Sequence, residues 1–149
     1  MMQLEEFSRL ANTHDGLAVV STTRADGTVQ ASLINAGVVK HPGDGTPVVG
    51  FVVRGNALKL RLLRRRPAAA VTVCAGTQWV TVEGPAELAG PDDPHPDIAS
   101  ETLPGLLRAI FVAAGGTHDD WPVFDRVMAE ERRAAVLVRP ERIYGVVRY

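Results

Sequence analysis

Apolar residues recur at Leu4, Phe7, Leu10 and Ala11. That spacing predicts a short helix over residues 3–13, closed by Gly16 after His14 and Asp15. The pattern then changes to short apolar runs bounded by turn residues. "LAVVSTTR" (17–24) predicts a strand and "VQASLINAGVV" (29–39) its return. Asp26-Gly27 between them is a hairpin signal. "KHPGDGTP" is a Gly- and Pro-rich loop before a third strand, "VVGFVV" (48–53). "AAAVTVC" (68–74) and "WVTVEGPAELA" (79–89) predict two more strands, the second kinked at Gly84-Pro85. Four prolines between Pro91 and Pro104 mark an irregular excursion, which is incompatible with one continuous helix or strand.

Residues 100–114 and 119–132 then read as two helices across "GGTH". Leu103, Leu106, Leu107 and Ile110 form the apolar stripe of the first, and Ser100 is its expected cap. "AAVLVRPERIYGVV" supplies one or two last strands. Many short strands with tight turns predict a mainly β (α+β) antiparallel barrel or sandwich with short flanking helices. Strands do not alternate with helices, which argues against a doubly wound sheet. No repeat or linker divides residues 1–149, so a single domain is expected.

A chain of 149 residues is long enough for one sizeable core. Its net charge of −1 argues against coating a nucleic acid. The sole cysteine, Cys74, lies in an apolar run and is expected to be a buried, inert thiol in a reducing cytosol. No signal-peptide pattern opens the chain and no apolar stretch approaches the ~18 residues of a membrane span, so a cytoplasmic protein is expected.

Charge is concentrated in one place. Six of the sixteen Lys and Arg residues lie between Arg54 and Arg66. On a helical wheel with Leu58 at zero, Leu62, Leu63 and Leu60 fall at about 40°, 140° and 200°, with Lys59 and Arg66 at about 100° and 80° among them. Arg61, Arg64 and Arg65 fall roughly opposite and read as a solvated face. Arg54 stands where the third strand runs into the helix, beside free N–H groups that favour an anion. Arg54 and Lys59 together read as a phosphate clamp. No P-loop pattern is present.

The four histidines, His14, His41, His95 and His118, are all placed in surface loops, none at metal-ligand spacing. No serine has a nucleophile-elbow context. Trp79 begins a strand, where it serves either the core or a flat ligand. Trp121 begins a helix and is expected to pack.

The order of these elements resembles the split β-barrel flavin- and deazaflavin-binding family, the pyridoxamine-phosphate-oxidase-like proteins. Within it the chain is most similar to small actinobacterial oxidoreductases that use the deazaflavin coenzyme F420. The landmarks are "GLAVVSTTRADGTVQASLINAGVV", "VVRGNALKLRLLRRRPAAAVTV", "WVTVEGPAEL" and "RPERIYG". The resemblance implies a split barrel of the FMN-binding type. It implies a ring lying along Gln30, Ser32, Leu33, Ile34 and Asn35, and a phosphate at Arg54, Asn56, Ala57 and Lys59, with Arg61 and Arg65 nearby. It implies a homodimer in which Trp79 and Val80 reach the partner's cofactor. Leu62-Leu63 stands where relatives commonly have Asn-Leu, and Gln30 replaces a basic residue, which counts against the pyridoxamine-phosphate reaction itself. The activity implied is hydride transfer from reduced coenzyme F420 to an unsaturated small molecule. The alternatives are FMN in the same fold, or a non-enzymatic binder of a flat anionic group such as flavin or haem. No protein general acid is evident; solvent or Tyr144 is the candidate proton source.

Overall fold

The computed structural model describes residues 2–148. Helix α1 (Leu4–Ala11) is followed by a 3₁₀ turn at Asn12–His14. Strands β1 (Leu17–Thr23), β2 (Val29–Lys40) and β3 (Pro47–Val53) precede the basic helix α2 (Leu58–Arg65). Strands β4 (Ala68–Ala75) and β5 (Gln78–Ala89) follow. After the proline-rich excursion come α3 (Leu103–Ala113), α4 (Trp121–Glu130), β6 (Ala134–Val138) and β7 (Arg142–Val146). Asp26 locks the first hairpin by accepting from both the N–H and the hydroxyl of Thr28. Ser100 does not cap α3: it lies in a 3₁₀ turn, and the residue preceding α3 is Thr102.

The strands run β4-β1-β2-β3-β6-β5, and a β4–β5 pairing closes them into a six-stranded antiparallel barrel. Strand β7 adds to β5 outside it. Two 12-residue strands serve both halves. Residues 29–35 of β2 pair with β1, and Ala36 onwards with β3. Residues 78–85 of β5 pair with β4, and Ala86 onwards with β6. Gly84 lies just before the change of partner, and a Cβ there would collide with the Arg139 carbonyl oxygen.

Phe7 and Leu10 of α1, together with Leu60 and Leu63 of α2, join Val20, Phe51, Val71, Val80, Val82 and Val136 in the main core. A second core lies where Leu106, Leu107 and Ile110 of α3 and Phe124 of α4 cover Val48, Ala135 and Leu137. Gly37 lets α3 approach β2, since a Cβ would meet Ala113 at 2.5 Å. Among the described residues no helix is long and apolar enough to cross a membrane.

Candidate functional site

The barrel is split along one edge of β2. The N–H of Arg24 donates to Thr28 O at 2.8 Å, and that of Ala36 to Gly16 O at 2.8 Å. Directly bonded pairs in an antiparallel ladder fall at every second residue. The backbone groups of Gln30, Ser32 and Ile34 therefore face β1. Those of Ala31, Leu33 and Asn35 face the opposite edge, and β3 pairs there only from Ala36 onwards. Of the positions expected along the ring, strand parity therefore turns the N–H groups of Leu33 and Asn35 to the open edge and that of Ile34 away from it.

Side chains on this strand divide by the same alternation. Ile34 is buried in the main core, whereas Leu33 is 68% exposed. Gln30 accepts from the Thr22 hydroxyl at 3.3 Å. Asn35 donates its Nδ2 to Asp15 O at 2.8 Å. Ser32 Oγ is buried without a hydrogen-bond partner. A buried hydroxyl left unpaired is costly, and a polar ligand group offers one remedy.

The basic segment sits at the end of β3, across the split. Arg54, Asn56, Ala57 and Lys59 come together where β3 turns into α2, and no side chain caps that helix. The wheel needs correction: Leu60 and Leu63 alone are fully buried, while Leu58 is exposed and Leu62 half-buried. An eight-residue helix plugging a barrel buries a narrow strip. Two of the six cations are engaged. Arg64 is exposed, as the wheel predicts, but held: its Nε and Nη2 grip both oxygens of Asp93 at 2.7 and 2.9 Å. Arg54 lies 3.5 Å from Glu131, which also accepts from Arg133. The Arg133 hydrogen bond, helped by the charges of Arg133 and Arg54, holds the Glu131 carboxyl below its usual range despite burial. The side chains of Lys59, Arg61, Arg65 and Arg66 have no partner among the described residues.

The outer face of β7-β5-β4-β1-β2 is unusually apolar. Leu17, Val19, Val29, Leu33, Trp79, Tyr144 and Val146 are all exposed on it. Trp79 points outward and Val80 inward, where Val80 is fully buried in the barrel, so its side chain is not offered at this face. Cys74 pairs with Trp79 across the strands and is exposed, not buried, because it falls on the outward parity of β4. Tyr144 donates its hydroxyl proton to Glu83 at 2.7 Å. That bond, with burial and the Glu83 charge, raises the phenol's pKa and makes it a poor proton source.

Beneath α3 and α4 lies a cavity of about 590 Å³, whose lining includes Asn35, Val52 and Arg133. Phe111, Phe124 and Met128 line it, and Trp121 packs on both rings. His118 lies in its wall with Nδ1 accepting the Asp120 N–H at 3.0 Å. No local pattern marks this space, since its walls combine Asp15 with residues of β2, β3, α3, α4 and the segments that follow the two helices.

Two histidines assigned to surface loops meet inside the fold. His41 is buried, and both His41 and His95 reach Glu87 Oε1 through Nε2, at 2.9 and 2.6 Å. These three side chains could be mistaken for a metal-binding set. Each Nδ1, however, accepts a backbone N–H, from Gly43 and Asp97. A neutral ring then carries its proton on Nε2, which is a donor to Glu87 and not a metal ligand. Arg139 holds the other Glu87 oxygen and also Asp44. The cluster is a hydrogen-bonded brace joining the β2–β3 loop, the proline-rich excursion and the β6–β7 turn.

No family model and no curated protein matches the chain. Solved structures do. A pyridoxamine 5'-phosphate oxidase-related, FMN-binding protein from Nostoc punctiforme superposes with a TM-score of 0.62 at 14% identity, over 95% of this chain and 81% of that one. An F420 reductase gives 0.57 at 19% identity, over 87% and 90%. A heme-binding protein from Mycobacterium smegmatis gives 0.65 at 17% identity, over 98% of this chain and 55% of that one. The chain thus has the split-barrel fold of pyridoxamine 5'-phosphate oxidase-like proteins. That fold is shared by flavin-binding, deazaflavin-linked and haem-binding proteins.

Proposed function

We propose that the protein is a homodimeric oxidoreductase. It holds reduced coenzyme F420 in the split and serves hydride transfer to an unsaturated organic small molecule. The observation that carries this is the set of four cations without a partner among the described residues, Lys59, Arg61, Arg65 and Arg66, in the segment that follows β3 once it has parted from β2. Two arginines of the segment are already engaged, Arg54 by Glu131, which it shares with Arg133, and Arg64 by Asp93. Four free charges exceed what one phosphate needs and suit a phosphate followed by carboxylates. The cofactor, when bound, supplies the redox chemistry.

In this scheme Lys59 anchors the phosphate, with Arg54 at the rim sharing Glu131. The backbone of Leu33 and Asn35 hydrogen-bonds the polar edge of the ring. Ser32 Oγ is available as a further polar contact. The apolar outer face dimerises, which covers the β2 edge and brings Trp79 of one subunit to the site of the other. The protein works in the cytoplasm, and its substrate is a small molecule. Titration with F420 and with FMN, followed by fluorescence, tests the assignment. FMN binding at least about tenfold tighter would overturn the deazaflavin in favour of the flavin, a difference of about 1.4 kcal/mol.

A further inference from the structure

We propose that the cavity under α3 and α4 is a separate binding site for an apolar monocarboxylate, with Arg133 taking the carboxylate. The cavity, at about 590 Å³, falls in the size range of small-molecule sites. Its walls are mostly apolar: Val52, Ile110, Phe111, Phe124, Val127 and Met128 face it. Such walls suit a flat or branched hydrocarbon body.

Charge decides which end of the ligand is polar. Arg133 lines the cavity and spends its Nε and Nη2 on Glu131. Its Nη1 is left to donate. Glu131 is also the partner of Arg54, so one carboxylate serves two guanidiniums. The triad keeps a net charge of about +1, and an anion beside Arg133 completes its neutralisation. The acidic group in the lining is Asp15, which lies against Gly115 just after α3. Arg133 lies after the C-terminal end of α4. A carboxylate is therefore drawn to Arg133. His118 holds its Nδ1 against Asp120, which leaves an Nε2 proton to face a second acceptor on the ligand.

Because Asn35 and Val52 line the cavity where β2 and β3 part, its occupant would lie next to the split. Its role as the hydride acceptor rests on the cofactor assignment above. Its binding does not, and the two fail separately.

Equilibrium dialysis of the purified protein against naphthoate and its neutral analogue naphthylmethanol, without cofactor, is the test. Naphthoate is expected to bind at least about tenfold tighter, as a charge-assisted pair implies. Met128→Trp, which fills the cavity, is expected to abolish binding of both. Arg133→Met should remove the preference for the acid, and Arg133→Lys should restore part of it. Saturating F420 or FMN should leave naphthoate bound. Equal affinity for acid and alcohol in the unmodified protein overturns the proposal, and that comparison needs no variant to fold. Displacement of naphthoate by either cofactor also overturns it, since the space would then belong to the cofactor. Unchanged binding in Met128→Trp would move the ligand elsewhere, with the same consequence.

Discussion

Trp79 and Tyr144 meet edge to face on the outside of the barrel, with ring centroids 6.1 Å apart and planes at 85°. Neither ring is in the core, and Trp79 remains 37% exposed in the single subunit. The pair shares the outward face of the sheet with Val19 and Leu33, with β4 between them. Trp79→Ala should therefore cost a subunit much less than the roughly 3–5 kcal/mol of a fully buried aromatic deletion. Cofactor binding should quench tryptophan emission, and the quench should shrink in Trp79→Phe. Full quenching in that variant would transfer the role to Trp121.

Assembly is tested at Leu33. Placing a charge at the centre of an apolar interface opposes association. Light scattering at micromolar concentration should give a dimer for the natural chain and a monomer for Leu33→Glu, with the fold retained. A monomeric natural chain would remove one wall of the proposed site.

Lys59 and Arg64 sit five residues apart on one helix and should behave differently. Lys59 has no partner to lose among the described residues, so Lys59→Ala should leave unfolding by urea nearly unchanged. It should weaken cofactor binding about tenfold to a hundredfold, in line with the roughly 1.5–3 kcal/mol of a charge-assisted hydrogen bond. Arg64→Ala breaks a bidentate grip on a carboxylate that is only 10% exposed. It should lower stability by about 1–3 kcal/mol and leave binding nearly intact. Equal effects of the two on binding would reject this division of the helix.

The brace around Glu87 predicts an acid response. Burial acts to raise its pKa, but hydrogen bonds from Arg139, His95 and His41 outweigh this and hold it at about 2, against an ordinary value of 4.5. A carboxyl depressed on folding contributes stability that is complete above its unfolded pKa. The contribution is lost as pH falls from 4.5 toward 2. Asp44, also lowered to about 2 by its hydrogen bonds to Thr46, with Arg139 assisting, titrates in the same window. Urea midpoints measured between neutral pH and this range should fall steeply for the natural chain and less for Glu87→Gln. Parallel curves would show that the brace is not the acid-sensitive element.

Periodicity and turn chemistry reported the strands and helices well, because both are local. The hairpin at Asp26-Gly27 and the kink at Gly84-Pro85 were visible as residue types with one conformational use. What escaped was set by distance along the chain. His41 finds Glu87, Arg54 finds Glu131, and Arg64 finds Asp93, and no local pattern announces such pairs. Cys74 was misplaced because an apolar run does not say which parity faces outward. Here one apolar face of the sheet is left uncovered. The free edge of β2 was hidden for a related reason: one strand with two successive partners looks in sequence like any long strand.

That shared strand gives the molecule a measurable rhythm in hydrogen–deuterium exchange. Amides of Gln30, Ser32 and Ile34 are tied to β1 and should exchange slowly, while those of Ala31, Leu33 and Asn35 should exchange fast. Beyond Ala36 the arrival of β3 protects the odd positions, beginning with Gly37 and Val39, while the even positions have run past the end of β1. The alternation should therefore change phase at one residue. Any molecule that fills the split must silence it by slowing every second amide on the strand.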